Sequence, residues 1–288
     1  MAPETETPPF RSEGDEQLGT APSTLVTIQL GSRSKPPLFC VHAEAGDVSL
    51  YYALAGHLAP DQPVFGLCAP APGELGPDRR LERMAGRHVR GIRSAQPGGP
   101  YLIVGECTGG ALAYEIAQQL QSAGDEVALL ALVDAFPPGL PRLWRLMPKP
   151  AYRIVHRARI LGFHLANLAR LGVDAKLAYA ASKARRARRA LAVKAANARR
   201  RSAGTASPQL AFNEALAAYS PQPYSGFTIL FRAAELPLGI EAPADLGWGG
   251  LVEDIEIETV PGYFTTPISE PGVRILADSL SRRLGERC

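Results

Sequence analysis

The chain has 288 residues, of which 46% are apolar and 20% charged, and its formal net charge is +3. This length can bury a sizeable core, and it favours one catalytic α/β domain with a lid. No run of 18 apolar residues and no signal-peptide pattern is present, which argues against a membrane span and against secretion. We therefore predict a soluble cytoplasmic protein with a disordered leader at 1–22 and a folded domain at 23–288.

Short apolar strands alternate with helices over the first half of the chain. The hydrophobic pattern predicts strands at 25–29, 38–42, 64–67, 101–104 and 127–133, and helices at 50–58, 81–94 and 109–123. Short buried strands separated by helices are typical of a parallel sheet covered on both faces. The pattern therefore predicts an α/β fold with a mostly parallel central sheet.

An inserted helical lid is predicted at about 137–208, beginning with a proline-rich loop. Between Arg142 and Arg201 the chain carries seventeen Lys or Arg residues against one acid, Asp174. The remaining chain holds fourteen basic and twenty-seven acidic residues, so the two parts of the molecule differ strongly in charge. After the lid we predict a helix at 210–219, strands at 227–231 and 255–260, and a final helix at 273–284.

The cysteines and histidines give no sign of a disulfide or a metal site. Cys40, Cys68, Cys107 and Cys288 have no paired spacing, and a cytosolic chain of this size does not need disulfides. The nearest approach to ligand spacing is the pair His156 and His164, eight residues apart. We predict free thiols, no metal and no bound cofactor.

A nucleophile elbow is predicted at 105–109, where the sequence Gly-Glu-Cys-Thr-Gly follows a buried strand and opens a helix. The glycines allow a sharp turn that exposes the central residue, Cys107. The N-terminus of a helix favours the thiolate through its dipole and its free N–H groups. The alternative interpretation is a buried core cysteine between a strand and a helix.

Together these motifs resemble the thioesterase domains of nonribosomal peptide and polyketide synthases, which have the α/β-hydrolase fold. The resemblance extends from about Pro37 to Leu284. Besides the elbow it is carried by Leu-Phe-Cys-Val-His at 38–42, Gln-Pro-Gly-Gly-Pro-Tyr-Leu at 96–102, Ala-Tyr-Glu-Ile-Ala at 113–117, Val-Asp at 133–134, Tyr-Ser-Pro-Gln-Pro-Tyr at 219–224, Val-Pro-Gly at 260–262 and Ser-Glu-Pro at 269–271.

The resemblance implies that Asp134 is the triad acid and that the backbone N–H groups of Thr108 and of Ala43 or Glu44 form the oxyanion hole. A solvated strand-end Asp or a cap for the lid is the alternative for Asp134. Two departures stand out. The loop at 42–46 reads His-Ala-Glu-Ala-Gly instead of a glycine-rich turn, and Phe264 occupies the position of the catalytic histidine.

The five histidines do not supply an obvious replacement for that base. None follows His164 in the sequence. We interpret His42, His57 and His88 as packing, surface or helical residues with structural roles. His156 and His164 could reach over the pocket from the lid, but a solvated face is the favoured interpretation.

A cysteine without its histidine can still be acylated, because a thiol is intrinsically nucleophilic, whereas water needs a base to attack the acyl-enzyme. The sequence therefore predicts an acyl-Cys107 enzyme that cyclises or transfers its chain rather than hydrolysing it. The alternatives are an editing type II thioesterase that uses a lid histidine or a carboxylate as its base, and a degenerate protein that only binds an acyl chain or its carrier.

The resemblance implies a partner as well, namely an acyl or peptidyl carrier protein that presents the substrate on its phosphopantetheine arm. Such carriers are typically acidic, so the lid could steer them through Arg185, Arg186, Arg188 and Arg189. A solvated amphipathic helix pair, or nonspecific contact with nucleic acid or an anionic membrane, would explain the same charges. No specific nucleic-acid binding is predicted.

Overall fold

The computed structural model describes residues 24–70, 80–139, 149–170, 184, 208–237, 240 and 242–287. The predicted leader and Cys288 lie outside these ranges. So does most of the predicted lid, including Arg185, Arg186, Arg188 and Arg189. His156 and His164 belong to a described helix, but their side chains are outside the described part.

Seven strands form one sheet in the order β1-β3-β2-β4-β5-β6-β7. Strand β1 pairs with β3 in antiparallel orientation and all other pairs are parallel, which confirms the predicted α/β-hydrolase type of sheet. The strands are β1 Leu25–Gln29, β2 Leu38–Val41, β3 Val64–Leu67, β4 Tyr101–Glu106, β5 Val127–Val133, β6 Tyr224–Glu235 and β7 Val252–Tyr263. The described helices are α1 Tyr51–Ala55, α2 Leu81–Ala95, α3 Gly109–Ser122, α4 Lys149–Arg170, α5 Pro208–Ala218 and α6 Gly272–Arg287.

Helices cover both faces of the sheet. One apolar core contains residues of α2, α3 and α5, and a second core on the other face contains residues of α1 and α6. Strands β2 and β4 are buried along their whole length, and β5 is buried after its first residue. This double burial explains why these strands are continuous apolar runs in the sequence.

The central strands end at the same edge of the sheet, and this edge positions the site. Val41 is paired with Gly105, so the loop after β2 lies beside the turn after β4. Glu106 is paired with Val133, so the residues that follow β4 and β5 are neighbours too. Ligand sites of parallel sheets form at such carboxyl ends.

Several predicted elements differ from the structure in length, among them two strands and the first helix. Strands β6 and β7 have 12 residues each, although the apolar pattern predicted only 227–231 and 255–260. Most positions in β7 are exposed or half-buried, because it is the edge strand and pairs with β6 alone. The backbone pairing with β6 keeps its charged residues in the strand. Helix α1 ends at Ala55 and is followed by Gly56, which makes it shorter than the predicted 50–58.

Helix α4, the described part of the lid, lies against the end of β7. The Arg159 guanidinium binds the Glu235 carboxylate at 3.2 Å and lies 5.9 Å from the centre of the Tyr263 ring. A Cβ atom on Gly262 would lie 3.1 Å from the Phe163 ring, which shows how closely the two elements approach. No helix in the described ranges is both long and apolar enough to cross a bilayer.

Candidate active site

Cys107 lies in a sharp turn between β4 and α3, as the elbow prediction requires. Its φ angle is +52°, a left-handed conformation that is unfavourable for a side chain with a Cβ. The turn is held by a hydrogen bond from the Cys107 N–H to the Val133 carbonyl (2.9 Å) and by one from the Gly110 N–H to the Cys107 carbonyl (3.1 Å). The surrounding fold therefore imposes the strained conformation.

The two glycines of the elbow are required by close backbone contacts. A Cβ atom on Gly105 would lie 2.6 Å from the Gly109 carbonyl oxygen, and one on Gly109 would lie 2.7 Å from the His42 carbonyl oxygen. Neither approach is possible for a larger residue without movement of the backbone. Glycine is therefore required at positions 105 and 109 because the turn leaves no space for a Cβ atom there.

The loop after β2 is hydrogen-bonded to the elbow. The backbone N–H of Glu44 donates to the Thr108 hydroxyl oxygen at 3.2 Å, and the Gly46 N–H donates to the Ala43 carbonyl at 2.9 Å. Ala43 and Glu44 were the two candidates for the second donor of the oxyanion hole, and the N–H of Glu44 is already hydrogen-bonded to the Thr108 side chain. This leaves the Ala43 N–H, together with that of Thr108, as the candidate pair.

Asp134 is fully buried at the end of β5 and binds backbone from two other segments. Its Oδ1 accepts the Ala233 N–H at 2.6 Å and its Oδ2 accepts the Thr265 N–H at 2.7 Å. The interpretation of Asp134 as a solvated strand-end residue is therefore wrong. Burial raises the pKa of its carboxyl to about 7, although these two hydrogen bonds and the charge of Arg232 act in the opposite direction.

Phe264 lies directly beside this carboxylate, because it precedes Thr265 in the same turn. Its N–H donates to the Glu235 carbonyl at 2.9 Å, and its buried ring lies 5.7 Å, centre to centre, from the ring of Phe136. Thr265 itself has a φ of +68°. The position that the resemblance gives to the catalytic base is thus filled by an aromatic pair that neither accepts nor donates protons.

Three histidines with described side chains have contacts that suit the structural roles predicted for them. The rings of His42 and His88 are buried 5.4 Å apart, and burial lowers the pKa of both, that of His42 to about 4. The Nδ1–H of His42 donates to the Ala43 carbonyl at 2.8 Å. His57 pairs with Glu270 at 2.6 Å between the two atoms Nε2 and Oε1.

The electrostatic environment of Cys107 contradicts the predicted thiolate. Burial raises the pKa of its thiol well above the ordinary value, and the carboxylates of Glu106, Glu44 and Asp134 raise it further. The Thr108 N–H opposes them, with an influence smaller than those of burial and Glu106. The helix N-terminus was the basis of the thiolate prediction, which did not count burial, the adjacent Glu106, or the two acids that the fold brings to the sulfur.

Sequence reasoning missed two parts of this site. The charge of Glu106 was not considered, although this residue belongs to the predicted elbow and directly precedes the nucleophile. The backbone donors to Asp134 come from residues 99 and 131 positions later, and no local signal points to them. Among the described residues, Cys40, Cys68 and Cys107 are free thiols, and no cluster of three or more potential metal ligands occurs.

Comparison with known proteins places this site in a family. The thioesterase-domain family model matches residues 36–218. A dimodular nonribosomal peptide synthase of Bacillus subtilis (strain 168) is 39% identical over 124 residues, which are 42% of this chain and 5% of that protein. Vanchrobactin synthetase VabF of Vibrio anguillarum is 37% identical over 112 residues, 38% of this chain and 4% of that protein. The aligned regions are thus small parts of these much longer relatives.

Solved structures agree with the sequence match. The NocB thioesterase domain, in covalent complex with a fluorophosphonate nocardicin G analogue, is 26% identical with a TM-score of 0.60 over 91% of this chain and 99% of that domain. RedJ, a thioesterase from the prodiginine pathway of Streptomyces coelicolor, has a TM-score of 0.57 over 86% of this chain and 90% of that chain; at 20% identity it supports the fold alone. The chain belongs to the thioesterase-domain family and has its α/β-hydrolase fold.

Proposed function

We propose that this chain takes an acyl or peptidyl group from the phosphopantetheine thioester of a carrier protein onto Cys107, and then transfers or cyclises it. The process would release a polyketide or nonribosomal peptide product in natural-product biosynthesis. Membership of the thioesterase family supports acyl-transfer chemistry, and nonribosomal peptide synthases among the relatives support the carrier-bound substrate. The observation that carries the proposal is the strained Cys107 at the elbow.

The first step is an exchange between a thiol and a thioester. The Cys107 sulfur attacks the carbonyl carbon, the bond from that carbon to the pantetheine sulfur breaks, and the thiol proton passes to the departing pantetheine sulfur. Because one thioester replaces another, no net proton acceptor is needed. The thiolate is the form that attacks, so the raised pKa of Cys107 slows this step, although the exchange as a whole consumes no base.

The second step disfavours water. Attack by water needs a base, which contributes about 10²–10⁴ in rate, and Phe264 stands where that base would be. An amine, or a stabilised carbanion within the acyl chain, needs less assistance. We therefore propose aminolysis, lactam formation or Dieckmann-type cyclisation over release of a free acid.

Intact-protein mass spectrometry tests the intermediate. The full chain is incubated with an acyl pantetheine thioester, and a mass increase equal to the acyl group is expected. Cys107→Ala must abolish it, whereas Cys68→Ala, which removes another thiol of the described chain, must leave it intact. An adduct that persists in Cys107→Ala would exclude the mechanism.

A second candidate is a degenerate acyl- or carrier-binding protein. It is favoured by the raised pKa of Cys107 and by the loss of the base at Phe264. It predicts that acyl thioester or acyl-carrier binds to the chain, without any adduct or product even after hours. The mass experiment distinguishes it from the first candidate, because only the first produces acyl-Cys107.

An editing thioesterase stays a further alternative, with His156 or His164 of the lid as the replacement base. It predicts rapid release of free acid that collapses in His156→Ala or His164→Ala. Slow hydrolysis that is the same in both variants would exclude it.

We propose that the carrier docks on the basic lid, for which the support is the excess of cations between 142 and 201. Charge reversal at Arg185, Arg186, Arg188 and Arg189 should slow transfer from an acidic carrier at low salt, and should leave transfer from a small pantetheine thioester unchanged. Equal rates with the carrier before and after reversal would exclude this docking site. The cytoplasmic location stays a prediction.

A further inference from the structure

The loop after β2 brings an exposed carboxylate, that of Glu44, to the elbow. The Glu44 N–H is bound to the hydroxyl of Thr108, the residue that follows Cys107. The same loop approaches the start of α3 so closely that a Cβ on Gly109 would meet the His42 carbonyl at 2.7 Å. The backbone of Glu44 is therefore fixed beside the nucleophile while its side chain faces solvent.

Glu44 differs from the other two acids whose charges act on Cys107. Asp134 is fully buried and both of its oxygens accept backbone N–H groups, and Glu106 is buried as well. Neither has space for an incoming molecule. Of these three acids, Glu44 is the one that a second substrate can reach from solvent.

A carboxylate in this position opposes the chemistry unless a cation accompanies it. Attack on the acyl-Cys107 carbonyl places negative charge on oxygen, and a neighbouring anion raises the energy of that charge. An ammonium group bound to Glu44 neutralises the anion and brings a nitrogen nucleophile to the thioester.

We infer that Glu44 binds the acceptor of the acyl group, and that this acceptor is a primary amine which arrives as its ammonium ion. The inference rests on the proposed acyl-Cys107 intermediate and specifies the class of its second substrate. Glu44 would select a cationic acceptor over a neutral one and hold it beside the thioester.

The step balances without an outside reagent. The ammonium group first loses one proton to solvent, and the neutral nitrogen, held beside the elbow, attacks the thioester carbonyl. The carbon–nitrogen bond forms, the carbon–sulfur bond to Cys107 breaks, and the second nitrogen proton passes to the departing sulfur. The products are an amide and the Cys107 thiol, and one proton has passed to solvent.

A competition between two acceptors tests the inference on the full chain. An acyl pantetheine thioester is supplied with a primary alkylamine, which is cationic near neutral pH, and with hydroxylamine, which is largely uncharged. We expect Glu44→Gln to lower the ratio of alkylamide to hydroxamate product by up to about fivefold, because it removes the charge partner of the ammonium ion. Glu253→Gln, an exposed acid on β7 at the far edge of the sheet, is the matched control and should leave the ratio unchanged.

A second readout tests whether the Glu44 carboxylate lies close enough to act on the sulfur. Removal of the Glu44 charge should lower the pKa of Cys107, so that alkylation of Cys107 by iodoacetamide becomes faster in Glu44→Gln. An unchanged product ratio in Glu44→Gln, or an equal loss with both acceptors, would overturn the role of Glu44. Absence of acyl-Cys107 in the wild-type chain would instead overturn the proposed function itself, and mass spectrometry of the same samples shows which has failed.

Discussion

The two ends of the candidate catalytic site are both held by backbone hydrogen bonds at strand ends, but they carry different side chains. At the nucleophile end, β4 stops in a strained turn that presents Cys107, and the loop after β2 is bound to it. At the base end, Asp134 stops β5 and binds the turn at 264–266, but that turn presents Phe264. The comparison teaches that a buried carboxylate has a structural role here without a histidine beside it, because it accepts the backbone N–H groups of Ala233 and Thr265.

Replacement of the Cys107 sulfur should cause the largest loss of acyl transfer. Cys107→Ser keeps the shape of the elbow, but a hydroxyl without a base is a far weaker nucleophile than a thiol. We expect acyl transfer to fall by at least about 10³-fold. Stopped-flow release of the pantetheine thiol measures it, and Cys68→Ser is the control. A serine variant that retains a tenth of the activity would show that the sulfur is not essential.

Removal of the Asp134 carboxylate should destabilise the fold. Asp134→Ala leaves the N–H groups of Ala233 and Thr265 buried without their acceptor, and each such loss costs about 1–3 kcal/mol. The free energy of unfolding in urea should therefore fall by about 2–4 kcal/mol. The free energy of unfolding should fall less in Asp134→Asn, because asparagine retains a carbonyl oxygen and tolerates the φ of +45°. Equal stability of the alanine variant and the wild type would contradict the anchoring role.

A histidine at position 264 should allow water to attack the acyl-enzyme. Phe264→His places an imidazole in the turn that Asp134 already holds, and we expect hydrolysis of the acyl-enzyme to rise by about 10²-fold. Phe136→His, which alters the other ring of the pair, is the control and should not do so. Free-acid release measured by chromatography decides the matter. If both variants hydrolyse equally, the aromatic pair acts only by excluding water.

The buried carboxyl of Asp134 should also make stability depend on pH. Its pKa is raised from 3.8 to about 7, so between these values the folded state holds a proton that the unfolded chain has released. Stability from this group is therefore full below about pH 4 and declines as the pH rises towards 7. Urea unfolding at several pH values should show this decline in the wild type and a flatter profile in Asp134→Asn. A parallel pair of profiles would exclude Asp134 as its source.

The smallest effect is expected from a change beside the sulfur. Glu106→Gln removes one of the charges that raise the pKa of Cys107, and one pKa unit corresponds to about a tenfold change in thiolate. Alkylation of Cys107 at neutral pH should accelerate by up to about tenfold. The pH profile of iodoacetamide labelling, with Cys107→Ala as the blank, measures the shift. An unchanged profile would mean that the charge of Glu106 does not act on the thiol.

Much of this site is encoded locally and could be read from the sequence. The alternation of apolar strands and helices predicted the sheet, since periodicity reports burial directly. Glycines at 105 and 109 predicted the elbow because only they fit its contacts. The position of Phe264 followed from flanking motifs. In each case a short segment carries its own steric or hydrophobic constraint.

The tertiary structure decided the properties that depend on distant segments. The pKa of Cys107 reflects burial together with the charges of Glu106, Glu44 and Asp134, and the last two come from segments that are distant in the sequence. The anchoring of Asp134 depends on backbone from β6 and from the turn after β7. Electrostatic energies and long-range hydrogen bonds depend on distances in space, which the order of residues along the chain does not contain.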